Sequence, residues 1–166
     1  MEADAMNPVG ELLWVEDIRL DVDITNKSQL LEEVAALLAA RHGPSAALIL
    51  ESLKIREQLG STAVGHGFAI PHARMSHCAT ATAALVRTKF AIPFDAPDGR
   101  PVSVFLGLIV PHKANEAHLQ LLATAAGMFS DRGLRDKLRT SNDAATLREI
   151  IAAWPDAPAA SSIAAG

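Results

Sequence analysis

The chain is predicted to be an α/β protein, a single domain whose mixed β-sheet is flanked by helices on both faces. Its 166 residues fit one domain, large enough to bury roughly two thirds of the surface its unfolded form exposes. Segments with the period of an amphipathic helix are interspersed with extended apolar runs rather than gathered at one end. One of those runs, residues 102–110, is apolar almost throughout, as expected of a central strand covered on both faces.

Taken in order, residues 1–10 show no usable period and residues 155–166 are mostly Ala, Pro and Ser, so both ends are expected to be loose around a domain at 11–154. Residues 18–24 alternate apolar and acidic positions, the pattern of a half-buried strand. Asn26 with Gln29 resembles a capping box, and Leu30, Leu31, Val34, Leu37 and Leu38 form the apolar stripe of a helix closed by Gly43. Pro44 opens a second helix carrying Leu48, Ile49, Leu53 and Arg56, which stops at Gly60. Residues 62–71 suit irregular or short-strand structure. A strand over about 80–92 then sets Val86, Phe90 and Ile92 against Arg87 and Lys89, and the turn signal Asp95-Ala96-Pro97-Asp98-Gly99 makes it a hairpin with 102–110. Pro111 ends that strand. Asn115 caps a helix with Leu119, Leu122, Ala125, Met128 and Phe129 on its core face, and shorter helices around 133–138 and 144–154 complete the chain. No internal repeat interrupts this pattern.

Hydrophobic residues at 49% and charged residues at 20% fit a soluble globular protein. A net charge of −4 and a pI near 5.8 argue against a nucleic-acid binder and suit a basic protein partner. Cys78 is the single cysteine, so neither an internal disulfide nor a cysteine-based zinc cage can form, as in a reducing compartment. Residues 1–10 carry acids where a secretory signal carries bases, and no apolar run approaches the ~18 residues of a membrane span. These features point to the cytoplasm, without membrane insertion.

Chemistry is expected at His72. The preceding Gly65-His66-Gly67-Phe68-Ala69-Ile70-Pro71 run can turn backbone N–H groups of Gly65 and Gly67 toward an anion, and Pro71 directs the imidazole. Histidine supplies a neutral, nucleophilic nitrogen near neutral pH. His118, at the third position of a helix capped by Asn115, can orient His72 or touch a bound phosphate; from spacing alone a plain surface histidine is the stronger reading. Arg56 offers a guanidinium fork suited to phosphate oxygens, or is an ordinary cation at a helix end. Ser61 and Thr62 can donate hydroxyls to the same anion, or are loop residues. His66 is favoured as a solvent-facing loop residue, and His42, His112, Trp14 and Trp154 are given no functional role. A metal-dependent hydrolase using His66, His72 and His77 is a competing but weak reading, because the spacing matches no strong zinc signature. A Cys78 nucleophile beside His77 is weaker, since neighbours on a strand face opposite ways.

Arg56-Glu57-Gln58-Leu59-Gly60-Ser61-Thr62, the Gly65-to-His72 run, Phe94-Asp95, Val110-Pro111 and His118-Leu119 together resemble the fructose/mannitol-type enzyme IIA of the bacterial phosphotransferase system, over residues 18–154. A stand-alone chain of this kind is most similar to the nitrogen-regulatory branch. The resemblance implies a phosphoryl carrier in which His72 accepts a phosphoryl group from a phosphorylated HPr-like (NPr) protein and passes it on or holds it as a signal. Its output is regulatory protein binding or, alternatively, donation to the cysteine of a sugar-transport IIB domain. His118 would orient and hydrogen-bond, Arg56 would stabilise the phosphate, and Ser61, Thr62, Gly65 and Gly67 would line it. No metal, nucleotide or other cofactor is implied. An apolar patch including Phe68 and Ile70, with an acidic rim, would receive the donor, although both residues suit a strand core equally well. Ala73 and Ala63 stand where this family often has glycine, which narrows the backbone's freedom.

Overall fold

The computed structural model describes residues 6–41, 44–76, 78–113 and 115–155. A short helix α1 (Pro8–Leu12) and a 3-10 turn lead into β1 (Ile18–Val22), followed by α2 (Lys27–Arg41) and α3 (Ala46–Gln58). Three short strands come next, β2 (Ala63–Gly65), β3 (Phe68–Ala69) and β4 (His72–Met75), then the long pair β5 (Thr82–Ile92) and β6 (Val102–Pro111). Helices α4 (Glu116–Phe129), α5 (Arg132–Thr140) and α6 (Ala144–Ala153) finish the described chain.

The sheet is mixed, as expected. Its order is β1-β5-β6-β3-β2, with β4 also pairing β6; β5 and β6 are antiparallel, as are β2 and β3, while β1 runs parallel to β5 and both β3 and β4 run parallel to β6. Side chains alternate across it: Ala84, Val86, Phe105 and Ile109 pack against α2 and α3, while Ala83, Leu85, Leu106 and Leu108 pack against α1, α4, α5 and α6. Both faces are therefore covered, which explains why β6 has no polar face. Gly107 gives α2 its close approach, because a Cβ there would lie 2.4 Å from Val34 Cγ1. Gly107→Ala is expected to destabilise the fold by about 1–3 kcal/mol through overpacking. A lower urea midpoint would show it; an unchanged midpoint would mean that Val34 repacks freely.

β3 and β4 lie end to end along β6, Phe68 opposite Val104 and His72 opposite Leu108. Pro71 sits at the break, where its missing N–H requires no ladder partner while its carbonyl still accepts from Leu108 N at 2.9 Å. The sequence thus fixes where the strand pauses immediately before His72.

Several expectations need correction. The N-terminal segment is not loose from Asn7 onward. Asn7 Oδ1 caps α1 through Gly10 N, Asn7 Nδ2 donates to the Ile151 and Trp154 carbonyls at 2.8 and 2.9 Å, and Gly10 packs against Ala152. The Asn7-Pro8 pair is itself a helix-start signal. Pro44 precedes the N-cap Ser45 rather than opening α3, Leu48 is exposed, and Glu57 rather than Arg56 is buried at the end of that helix. Asn26 Oδ1 does accept from Gln29 N, but the Gln29 side chain reaches back to Thr25 N instead of Asn26 N. The register of β5 shifts between Arg87 and Ile92, turning Phe90 outward, while Arg87 is buried, paired with Asp21 and donating to carbonyls at the end of α5. Phe68 and Ile70 belong to the core, at 0% and 5% exposure, not to a docking patch. The expected Gly43 stop and the tail from residue 156 lie outside the described residues. None of the described helices is long and apolar enough to cross a membrane.

Candidate functional site

At the free edge of β4, α3 and α4 overhang the sheet from opposite faces and leave an open cleft of about 480 Å³. It is lined by Arg56 from α3 and Leu59 at its C-cap, His72 and Arg74 from β4, and His118 and Leu119 from α4, among others. Strand alternation places His72 and Arg74 on one side of β4, while Ala73 and Met75 pack into the α2–α3 core. The three residues singled out first in the sequence, Arg56, His72 and His118, therefore meet across segments far apart in the chain.

The two histidines are prepared in opposite ways. His72 Nδ1 lies 2.7 Å from the Ile70 carbonyl. A carbonyl only accepts, so Nδ1 carries the proton and Nε2 keeps its lone pair. In His118 the arrangement is reversed: Nδ1 accepts the Asn115 N–H at 3.1 Å while Asn115 Oδ1 accepts from His118 N at 3.2 Å, closing a reciprocal cap. The neutral His118 ring must then hold its proton on Nε2 and can only donate from it. One imidazole is left with a free ring-nitrogen lone pair and the other with a free ring N–H.

Burial pushes the His72 pKa below its usual 6.5; the Ile70 hydrogen bond opposes this, the Arg56 charge adds to it, Glu57 opposes and Arg74 adds. Between the folded and unfolded pKa values the folded chain binds fewer protons here. Its contribution to stability is thus complete above about pH 6.5 and is lost as pH falls toward the folded-state value. A ring-nitrogen NMR titration is expected to show His72 still mostly neutral at pH 6.5. A midpoint at or above that value would mean that the carbonyl bond and Glu57 outweigh burial.

Arg56 Nη1 donates to Gly60 O at 2.9 Å, which turns the guanidinium along the end of α3. The remaining predicted anion ligands are engaged elsewhere. Ser61 Oγ donates to Phe94 O at 2.6 Å, and Thr62 gives both its N–H and its hydroxyl to Glu57, at 2.9 and 2.7 Å. Gly65 and Gly67 flank His66 in the tight β2–β3 turn, all three with positive φ. This turn lies beside Val104, four residues back along β6 from the partner of His72, roughly 13 Å at strand rise. His66 N donates there to Asp98 Oδ2, and Arg139 binds the His66 carbonyl. The glycines thus build a hairpin rather than a phosphate loop. His66 and His72 do not share a site, His77 lies outside the described residues, and no group of three His, Cys, Asp or Glu suited to a metal ion occurs among the described residues.

Sequence reasoning missed Arg74, although its position two residues beyond His72 on a strand is a readable signal for the same side. It expects an apolar patch for docking but assigns it to Phe68 and Ile70 rather than to the residues at the rim of this cleft. Ile55, Leu59 and Leu119 are 55%, 80% and 58% exposed, and no carboxylate is among the described residues that line the cleft, contrary to the expected acidic rim.

Residues 11–154 match the family model described as phosphoenolpyruvate-dependent sugar phosphotransferase system, EIIA 2. The chain is 41% identical over 128 residues to the nitrogen regulatory protein of Pseudomonas aeruginosa, covering 76% of this chain and 82% of that one. It is 35% identical over 148 residues to the nitrogen regulatory protein of Bradyrhizobium diazoefficiens, covering 89% and 97%. Its fold superposes on the crystal structure of nitrogen regulatory protein IIA-Ntr from Neisseria meningitidis with a TM-score of 0.83 at 42% identity, over 86% of this chain and 98% of that one. IIA mannitol from Escherichia coli, at 16% identity and a TM-score of 0.73 over 84% and 99%, shares the fold. The chain belongs to the type 2 EIIA family of the phosphotransferase system. It is a phosphoryl carrier and regulator with the nitrogen-regulatory proteins as its relatives, and the sugar-transport alternative is less favoured.

Proposed function

We propose that His72 Nε2 is the phosphoryl acceptor, loaded by the phosphohistidine of an HPr-like protein of the nitrogen-regulatory (NPr) kind, and that the phosphorylation state is read by protein partners in the cytoplasm. The observation that carries this reading is the His72 Nδ1 to Ile70 carbonyl bond, which leaves Nε2 unprotonated at the wall of a cationic cleft. In the transfer, the Nε2 lone pair forms the new N–P bond while the donor's N–P bond breaks and its electron pair returns to the donor imidazole. The charge gained by the His72 ring is stabilised at Nδ1–H by the Ile70 carbonyl. Arg56, Arg74 and the Nε2–H of His118 face the oxygens of the moving group, which need charge stabilisation rather than covalent help. Ile55, Leu59 and Leu119 supply the apolar contact for docking.

A purified HPr-type donor, phosphorylated enzymatically and mixed with this chain, is expected to give one phosphoryl adduct by intact mass under alkaline conditions. An unmodified chain beside a donor that phosphorylates an authentic IIA protein would overturn the reading. The regulatory output is favoured over donation to a sugar IIB domain by the 41% and 42% identities to nitrogen regulatory proteins, against 16% to IIA mannitol. Loss of sugar uptake on deletion would reverse that preference.

A further inference from the structure

Behind His72 runs a chain of hydrogen bonds that ends on a buried carboxylate. His72 Nδ1–H donates to Ile70 O at 2.7 Å, and Ile70 N donates in turn to Thr62 O at 3.0 Å. Thr62 is fixed from its other side by Glu57, whose Oε2 accepts the Thr62 N–H at 2.9 Å and whose Oε1 accepts the Thr62 hydroxyl at 2.7 Å. Glu57 is 8% exposed and Thr62 6%. A buried carboxylate needs a cation, and Lys27 provides it: Nζ is 3.3 Å from Glu57 Oε2, 3.1 Å from Asp95 Oδ2 and 4.5 Å from the centre of the Phe94 ring. Glu57 itself does not line the cleft.

We propose that Glu57 is a positioning residue for phosphoryl transfer: by clamping the Thr62 amide and hydroxyl it holds the Ile70 carbonyl in the one place that fixes the His72 tautomer. This rests on His72 being the acceptor. The clamp is two-pronged on a single residue, so Thr62 can neither rotate nor slide, and the strand pairing carries that constraint across one rung to Ile70. A second consequence concerns charge. Glu57 is the anion that acts on the His72 ring against Arg56 and Arg74, so it favours the positive ring that forms when Nε2 takes the phosphoryl group. Without the clamp, the Ile70 carbonyl is free to drift from Nδ1, and a ring whose proton moves to Nε2 presents no lone pair to the donor.

The test uses the full chain, with Glu57→Ala, Glu57→Gln and Thr62→Val. Ring nitrogen chemical shifts of His72 are read on the unphosphorylated proteins, and transfer rates from the phosphorylated HPr-type donor are read separately. The wild type is expected to show one tautomer, with the proton on Nδ1. Glu57→Ala should show mixed tautomers and transfer slowed by about 10- to 100-fold, the range typical of outer partners that orient a functional histidine. Thr62→Val, which loses one prong, should fall between, and Glu57→Gln, which keeps a carbonyl acceptor for the Thr62 amide, should recover most of the single-tautomer signal. A single Nδ1–H tautomer in Glu57→Ala overturns the proposal whatever its rate, as does an unchanged tautomer in Thr62→Val should Glu57→Ala fail to fold. Failure of the wild type to be phosphorylated would instead remove the acceptor assignment, leaving the tautomer result to stand alone.

Discussion

His72→Ala is expected to accept no phosphoryl group from a donor that fully loads the wild type, while unfolding at nearly the same denaturant concentration. No other described residue lining the cleft can take over the role. The His118 Nδ1 lone pair is held by Asn115 N–H, and its Nε2 carries the proton; His66 sits in a different turn. His112, exposed near Arg74, faces a neighbouring depression rather than the cleft. His72 is only partly buried on a four-residue strand, so its truncation should change stability by no more than about 1 kcal/mol. Intact mass spectrometry at alkaline pH, beside a urea titration, reads both quantities. A persisting adduct in the alanine variant would place the acceptor elsewhere.

Arg56→Ala should slow transfer by about 10²- to 10³-fold, the scale seen when one donor aimed at developing charge is removed. The guanidinium is held by Gly60 O at its outer nitrogen and lines the cleft with Arg74. Its half-exposed position at the end of α3 means that folding should hardly notice the change. Arg56→Lys should recover only part of the rate, because an ammonium cannot reproduce the fork that meets two phosphate oxygens. Rapid-quench transfer rates and urea midpoints separate the two effects. A rate within threefold of wild type, or a slowing matched by unfolding, would contradict the assignment.

Periodicity made most of the fold legible. The α2 stripe of Leu30, Leu31, Val34, Leu37 and Leu38 is buried as expected, the β5–β6 hairpin turns at Asp98-Gly99, and Asn115 caps α4 with His118 at its third position. The misses share a cause: a residue whose partner lies far along the chain gives no local signal. Asn7 looked like tail because its bonds go to Ile151 and Trp154, and Arg87 looked like an outward cation because the carbonyls it caps belong to α5. Leu119 fits the α4 period yet is exposed at the cleft, where the periodic rule assigned it to the core; Leu122 lines the cleft while packing against the core, and Leu121 and Thr124 are buried as well. At the site, motif order picked out Arg56, His72 and His118, and the fold brings all three to one cleft; Arg56 and His118 each had a bland alternative that spacing alone did not remove. The same motif misled at Ser61, Thr62, Gly65 and Gly67, since loop composition says that a backbone turns and not what it turns toward. Thr62 serves Glu57, and the glycines permit a hairpin at the far end of β3.

The Ile70 carbonyl bond decides which ring nitrogen of His72 is free to carry the phosphoryl group. Long-range proton–nitrogen NMR of the phosphorylated chain is expected to place phosphorus on Nε2, with Nδ1 still protonated toward Ile70 O. Phosphorus on Nδ1, or on any residue other than His72, would contradict it.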